Sequence, residues 1–129
     1  MFVEVLTDTM ISAGKELTRR LDAAGFRVDA SLWSYSPESN SWHLIIASPE
    51  IKLRGPRRTY SKIQSILSKA PKAREEISLS DISVVESNAP LIKLLRVAIK
   101  TGRTISDIRF SRNTINGVFI EDAYIYRIT

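Results

Sequence analysis

The sequence predicts an α+β domain. Three observations carry that expectation: two stretches with hairpin chemistry, at Phe26–Ser48 and Ile108–Ile128, and between and around them three amphipathic stretches with helical spacing. The expected order is α-β-β-α-β-α-β-β, with about five mostly antiparallel strands and three helices packed mainly on one face. Strand order does not follow from the sequence. All 129 residues, 1–129, are expected to form one domain, long enough to bury a core.

Residues 1–7 read as a short strand or a lead-in. Thr7-Asp8-Thr9 then offers N-cap oxygens for a helix running to about Ala24, closed by Gly25. Its apolar stripe is Met10, Ala13, Gly14, Leu17, Leu21 and Ala24. Gly14 either weakens this helix or marks a close approach.

The first hairpin alternates from Phe26. Phe26, Val28, Ala30 and Leu32 fall on one face, and Trp33 and Tyr35 on the other. Pro37-Glu38-Ser39-Asn40 is turn chemistry, because Pro presets φ and Ser and Asn bond the backbone. A four-residue loop pairs Ser36 with Ser41, Tyr35 with Trp42, Trp33 with Leu44 and Leu32 with Ile45. Both faces then carry large apolar groups, so both must be covered.

Glu50–Arg54 reads as a connector. Gly55-Pro56 opens a second helix with Pro at its first position, and Pro71 stops it. Tyr60, Ile63, Ile66, Leu67 and Ala70 form its core side. Arg58, Lys62, Ser65 and Lys69 form a narrow stripe opposite. Ile77–Glu86 reads as the third strand. Ser87–Pro90 begins a third helix, Pro90–Thr101, closed by Gly102, with Leu91, Leu94, Leu95, Ala98 and Ile99 inward. In the last hairpin Asn116-Gly117 is the loop. That register sets Arg109 against Tyr124, Ile108 and Phe110 beside Ile125 and Ala123, and Arg112 against Glu121.

Charge is uneven along the chain. Residues 1–51 hold seven acids and four bases, residues 52–112 fourteen bases and five acids, and residues 113–129 one base and two acids. Between Ile51 and Arg74 eight Lys or Arg stand without a single acid. Exposed helices usually mix signs, so this stretch points to an anionic partner; the competing reading is a merely solubilising face. The leading functional expectation is a small soluble, non-enzymatic binding protein. It would contact nucleic-acid phosphates, and only the backbone, through the basic stretch 54–74: Arg54, Arg57, Arg58, Lys62, Lys69, Lys72 and Arg74. Lys93, Arg96 and Lys100 form a second basic stripe.

The alternative is a protein-interaction subunit or regulator, a homodimer included, assembling through the aromatic hairpin face of Trp33, Tyr35 and Trp42. A remote third reading is a magnesium-dependent nuclease. Glu50-Ile51-Lys52 resembles the Glu-x-Lys element of restriction-type nucleases, and Asp29 lies across the hairpin near it. Pro49 and a missing strand argue against it.

With one histidine, His43, set opposite Ser34, a Ser-His-Asp triad finds no third partner. The absence of cysteine removes disulfides and thiolate metal sites, and no cofactor or metal is expected. The opening residues lack a signal-peptide pattern, and no apolar run is long enough to span a bilayer. The expectation is a cytoplasmic protein without membrane contact.

Overall fold

The computed structural model describes residues 4–129. One five-stranded sheet runs through it: β1 (Ala30–Ser36), β2 (Ser41–Ala47), β3 (Ile82–Val85), β4 (Ile108–Ile115) and β5 (Val118–Ile128), in the order β3-β2-β1-β5-β4. All neighbours are antiparallel except β2 and β3. Among the described residues five α-helices flank it, not the three expected: α1 (Asp8–Ala23), α2 (Glu50–Arg54), α3 (Pro56–Ser68), α4 (Pro71–Glu76) and α5 (Pro90–Ala98).

The two additional helices are short. The stretch read as a connector is α2. Pro71 ends α3 and also starts α4, because a residue that cannot continue a helix is well suited to a first helical position. Of residues 1–7, residues 1–3 lie outside the described residues, and residues 4–7 lead into α1 without forming a strand. Thr7 caps α1, its Oγ1 accepting from the Met10 N–H at 3.1 Å.

Both hairpins take the expected registers. Ser36 faces Ser41, Tyr35 faces Trp42, Trp33 faces Leu44 and Ser34 faces His43. In the second hairpin Asn116 and Gly117 sit at φ 49° and 79°, the left-handed pair that a two-residue turn needs. Ile108, Arg109 and Phe110 face Ile125, Tyr124 and Ala123. Arg112 departs from the expected pairing with Glu121. It takes φ 44° and drops out of the ladder, so that Ile115 lands on the same side as Ile108 and Phe110.

Two further irregularities change which face a residue occupies. The first strand begins at Ala30, not Phe26, because the chain bends at Asp29. Phe26 and Val28 therefore join Trp33, while Ala30 and Leu32 face the opposite side. A bulge on β5 sets Leu32 against Ile125 and Ser31 against Arg127, leaving Tyr126 as the extra residue. Tyr126 turns under α1, where its hydroxyl donates to the Ile11 carbonyl and accepts from Trp33 Nε1 at 3.1 Å. Gly14 exists for this contact: a Cβ there would lie 2.5 Å from the Tyr126 hydroxyl.

The expected third strand shrinks to Ile82–Val85. Ser78 and Asp81 instead cap one another around a 3-10 turn at Leu79–Asp81. A Ser with Asp three residues later is a helix-start signal, and here it overrides the alternation. The stretch from α2 to α4 carries the chain back along the sheet, which is why β3 pairs parallel to β2.

Two apolar clusters result. One joins α1, α3 and α4 to Trp33, Trp42, Leu44, Ile46 and Tyr126. The other puts Ile92 and Leu95 of α5 against Leu32, Ala47, Ile125 and Ile128. Helix α5 alone lies on that second face, and it ends at Ala98 rather than Thr101.

Candidate nucleic-acid interface

Helix α3 is built so that one side is committed to the core and the other is left to solvent. Thr59, Ile63 and Leu67 are buried. Thr59 Oγ1 donates to the carbonyls of Gly55 (2.8 Å) and Glu50 (3.0 Å), tying the first turn to α2. The Tyr60 hydroxyl accepts from the Val84 N–H at 2.8 Å, so α3 also seals the outer edge of β3. At the other end, Arg74 donates to the Ser68 carbonyl (3.1 Å) and Arg20 to the Lys69 carbonyl (3.0 Å). Two cations thus satisfy carbonyls at the negative pole of the helix.

On the outer side stand Arg57, Arg58, Lys62 and Lys69. Lys62 is half-buried, and the other three are exposed. Arg58, Lys62 and Lys69 fall within roughly 40° of one another at 100° per residue, over a length of about 16 Å. Arg57 and Arg58 occupy the first turn, where no acid is present. The positive end of the helix dipole opposes cations there and favours anions.

These four residues enter no ion pair among the described residues, as is also true of Arg19, Lys52, Lys72, Arg74, Lys93, Arg96, Lys100 and Arg112; what sets the four apart is their grouping on one helix without an acid among them. The ion pairs among the described residues engage Lys15, Arg20, Arg27, Arg54, Arg103, Arg109 and Arg127. None engages a base between residues 55 and 100.

The other expected contact residues divide differently. Arg54 is held by Glu50 of its own helix. Lys72 lines a small cleft together with Asp8, Glu16, Glu75 and Glu76, so its charge is offset locally. Lys93, Arg96 and Lys100 belong to α5 and the residues just after it, on the opposite layer. Arg96 is further engaged by the Thr129 carbonyl (3.1 Å) and Asn88 Oδ1 (2.8 Å). The two basic stripes do not merge into one surface.

The aromatic face expected to meet a partner is the helix-covered core. Trp33 is 1% exposed and Trp42 4%. Tyr35, half-buried, meets Trp42 edge-on with ring centroids 5.4 Å apart, and the Arg109 guanidinium lies 5.5 Å from the Trp42 ring centre. Among the described residues, packing on this side leaves Trp33 and Trp42 buried and Tyr35 partly exposed.

Asp29, Glu50 and Lys52 do not assemble into a metal-holding group. Asp29 accepts from Ser87 (2.6 Å), Arg27 (2.9 Å) and Arg103 (3.2 Å). Burial pushes its carboxyl up, but the hydrogen bonds from Ser87, Arg103 and Arg27 outweigh it and hold the group below the ordinary carboxylate value. Glu50 starts α2 and turns to Arg54. Among the described residues no three His, Cys, Asp or Glu side chains gather where a cation could bind. His43 bonds locally, to Ser41 (3.1 Å) and more weakly Ser39 (3.4 Å), rather than to Ser34 across the strand.

Sequence reasoning missed two features that shape the interface. Arg20 reaches the end of α3 from α1, and Lys72 sits among acids of α1. Both join segments about fifty to sixty residues apart, and no local pattern signals them. No protein-family model matches this chain, nor does any curated protein sequence or solved structure.

Proposed function

We propose that this protein binds the phosphate backbone of a nucleic acid through the exposed side of α3, with Arg57, Arg58, Lys62 and Lys69 as the contacting groups. One observation supports the reading: these four cations are grouped on the outer part of one short helix and its C-cap, none of them enters an ion pair among the described residues, and no acidic residue lies between Ile51 and Arg74. An unpaired stripe keeps its full charge for a ligand. The free energy of such binding comes from counterions released by the phosphates.

The stripe supports backbone contact rather than base readout. Its length of about 16 Å spans roughly three to four successive phosphates of one strand. Tyr60, the aromatic nearest to it, is half-buried and its hydroxyl is taken by Val84, so no stacking platform for a single strand adjoins the stripe. A double helix, read by its shape and charge, is the ligand proposed here.

Fluorescence anisotropy of a labelled duplex across a salt series tests this. Four phosphate contacts give a slope of log K against log salt near about −3.6 on B-form DNA. Absence of binding to duplex DNA and RNA at low salt overturns the proposal.

A further inference from the structure

The two faces of the sheet are covered unequally. Three helices, α1, α3 and α4, close one side, and α5, nine residues long, covers the other. Beside α5 an open groove of about 540 Å³ remains, floored by β1 and β5. Leu91 and Leu94 of α5 form one wall, and Phe119 and Ile120 of the β4–β5 hairpin form the other. Phe119 is 56% exposed and its neighbour Val118 49%, among the most exposed large apolar residues described. An apolar groove with one wall exposed at Val118 and Phe119 and the other half-buried at Leu91 and Leu94 marks a place where another apolar surface fits.

The charge around the groove identifies that surface further. Every charged residue lining it is acidic: Glu38, Glu121 and Asp122. This holds in a chain with nineteen bases and a net charge of +5. Asp122 is committed to Arg109, whereas Glu38 and Glu121 enter none of the ion pairs among the described residues. An acid-rimmed groove repels phosphate, so it is not an extension of the α3 surface.

We infer that this groove receives a basic amphipathic helix from a partner protein. Such a helix would lie alongside α5 and complete the second layer over the sheet. Its apolar side would meet Leu91, Leu94 and Phe119, and its lysines or arginines would meet Glu38 and Glu121. A second copy of this chain does not supply the helix. The strongly basic amphipathic helix here is α3, and its apolar side is already buried as Ile63 and Leu67.

The test uses the full chain, labelled with nitrogen-15, and two synthetic fourteen-residue helical peptides. One has Leu at i, i+3, i+4 and i+7 spacing with Lys elsewhere; the other has Glu in place of Lys. The Lys peptide is expected to shift amide signals of residues 91–95 and 118–123, and the Glu peptide to leave them unmoved. Phe119→Ser, at an exposed position that leaves the fold intact, is expected to weaken the Lys peptide at least tenfold, as is Glu38→Lys with Glu121→Lys. Any of four results overturns the inference. These are no binding of the Lys peptide at low salt, equal binding of both peptides, shifts centred on the acidic cleft near Lys72, or a dimer in sedimentation that Phe119→Ser dissolves.

Discussion

Helices α1 and α3 lie on the same side of the sheet, and each buries an apolar stripe there. Their cations behave differently. On α1, Lys15 reaches Asp107 at 2.7 Å and Arg20 reaches Glu16 at 3.4 Å, while Arg20 also donates to the end of α3. On α3, none of the four outer cations has a carboxylate. The first helix commits two of its three cations, Lys15 and Arg20, to the fold and leaves Arg19 without an ion pair, whereas the second leaves all four of its outer cations without one. The contrast shows that composition alone does not mark a binding surface. What marks it is the share of the charge that the fold leaves unspent.

The largest expected effects lie under both helices and sharpen the comparison by showing that their buried sides are equivalent. Leu17 and Ile63 are each fully buried. Leu17→Ala and Ile63→Ala should each cost about 2–5 kcal/mol in urea unfolding, with m unchanged. A much smaller loss for Ile63→Ala would mean that α3 is loosely docked and not a rigid platform.

Gly14→Ala comes next. In an exposed helix this change stabilises by up to about 1 kcal/mol. Here the new methyl meets the Tyr126 hydroxyl and Trp33 Nε1, which lie 2.5 and 2.7 Å from where it would sit. A loss of about 1–3 kcal/mol is expected, measured by the shift of the urea midpoint. A gain in stability would show that Tyr126 does not pack under α1 as described.

A third prediction separates a binding face from a solubilising one. Arg57 and Arg58 oppose the α3 dipole, so Arg57→Glu and Arg58→Glu should raise stability by about 0.3–1 kcal/mol each at low salt. The same changes should remove duplex binding. A more stable protein that no longer binds is the signature of cations kept at a structural cost. Loss of stability together with binding would contradict the account of the first turn.

The smallest effect concerns pH. The hydrogen bond from Lys15 first, then that from Tyr124, holds the Asp107 carboxyl below its ordinary value. A carboxyl lowered in the folded state contributes stability above its unfolded value, and that contribution is lost as pH falls through the folded one. Stability should therefore decline below about pH 4. Asp107→Asn should flatten part of that decline, read from urea midpoints at pH 7 and pH 3. An acid limb unchanged in Asp107→Asn would show that the α1 pair is not formed in solution. Asp107 is well exposed, so solvent screening keeps the effect modest.

Much of the scaffold was legible from local chemistry. Pro37–Asn40 and Asn116-Gly117 set both hairpin registers, and α1 and α3 followed from their periods of three and four. Short helices were not legible: α2 and α4 span too few residues to show a period. Strand order was hidden because β1 meets β5 across almost the whole chain, Ala30 against Ile128. The bend at Asp29 and the bulge at Tyr126 moved residues between faces, and strict alternation has no means of announcing either. The basic stripe was visible at once. Which of its members keep their charge was legible only in part: Glu75 and Glu76 stand close to Lys72 in sequence, but Asp8 and Glu16 reach the same cleft from far away.

The most direct test compares the two helices at matched charge. Arg57→Glu, Arg58→Glu and Lys62→Glu in one protein are set against Lys15→Glu, Arg19→Glu and Arg20→Glu in another, with duplex affinity measured by anisotropy across salt. The expected result is loss of binding and of most of the salt slope in the α3 variant, with the α1 variant retaining a slope near that of the unmodified protein. An equal loss in both would show that net charge alone draws the nucleic acid, and that α3 is not its site.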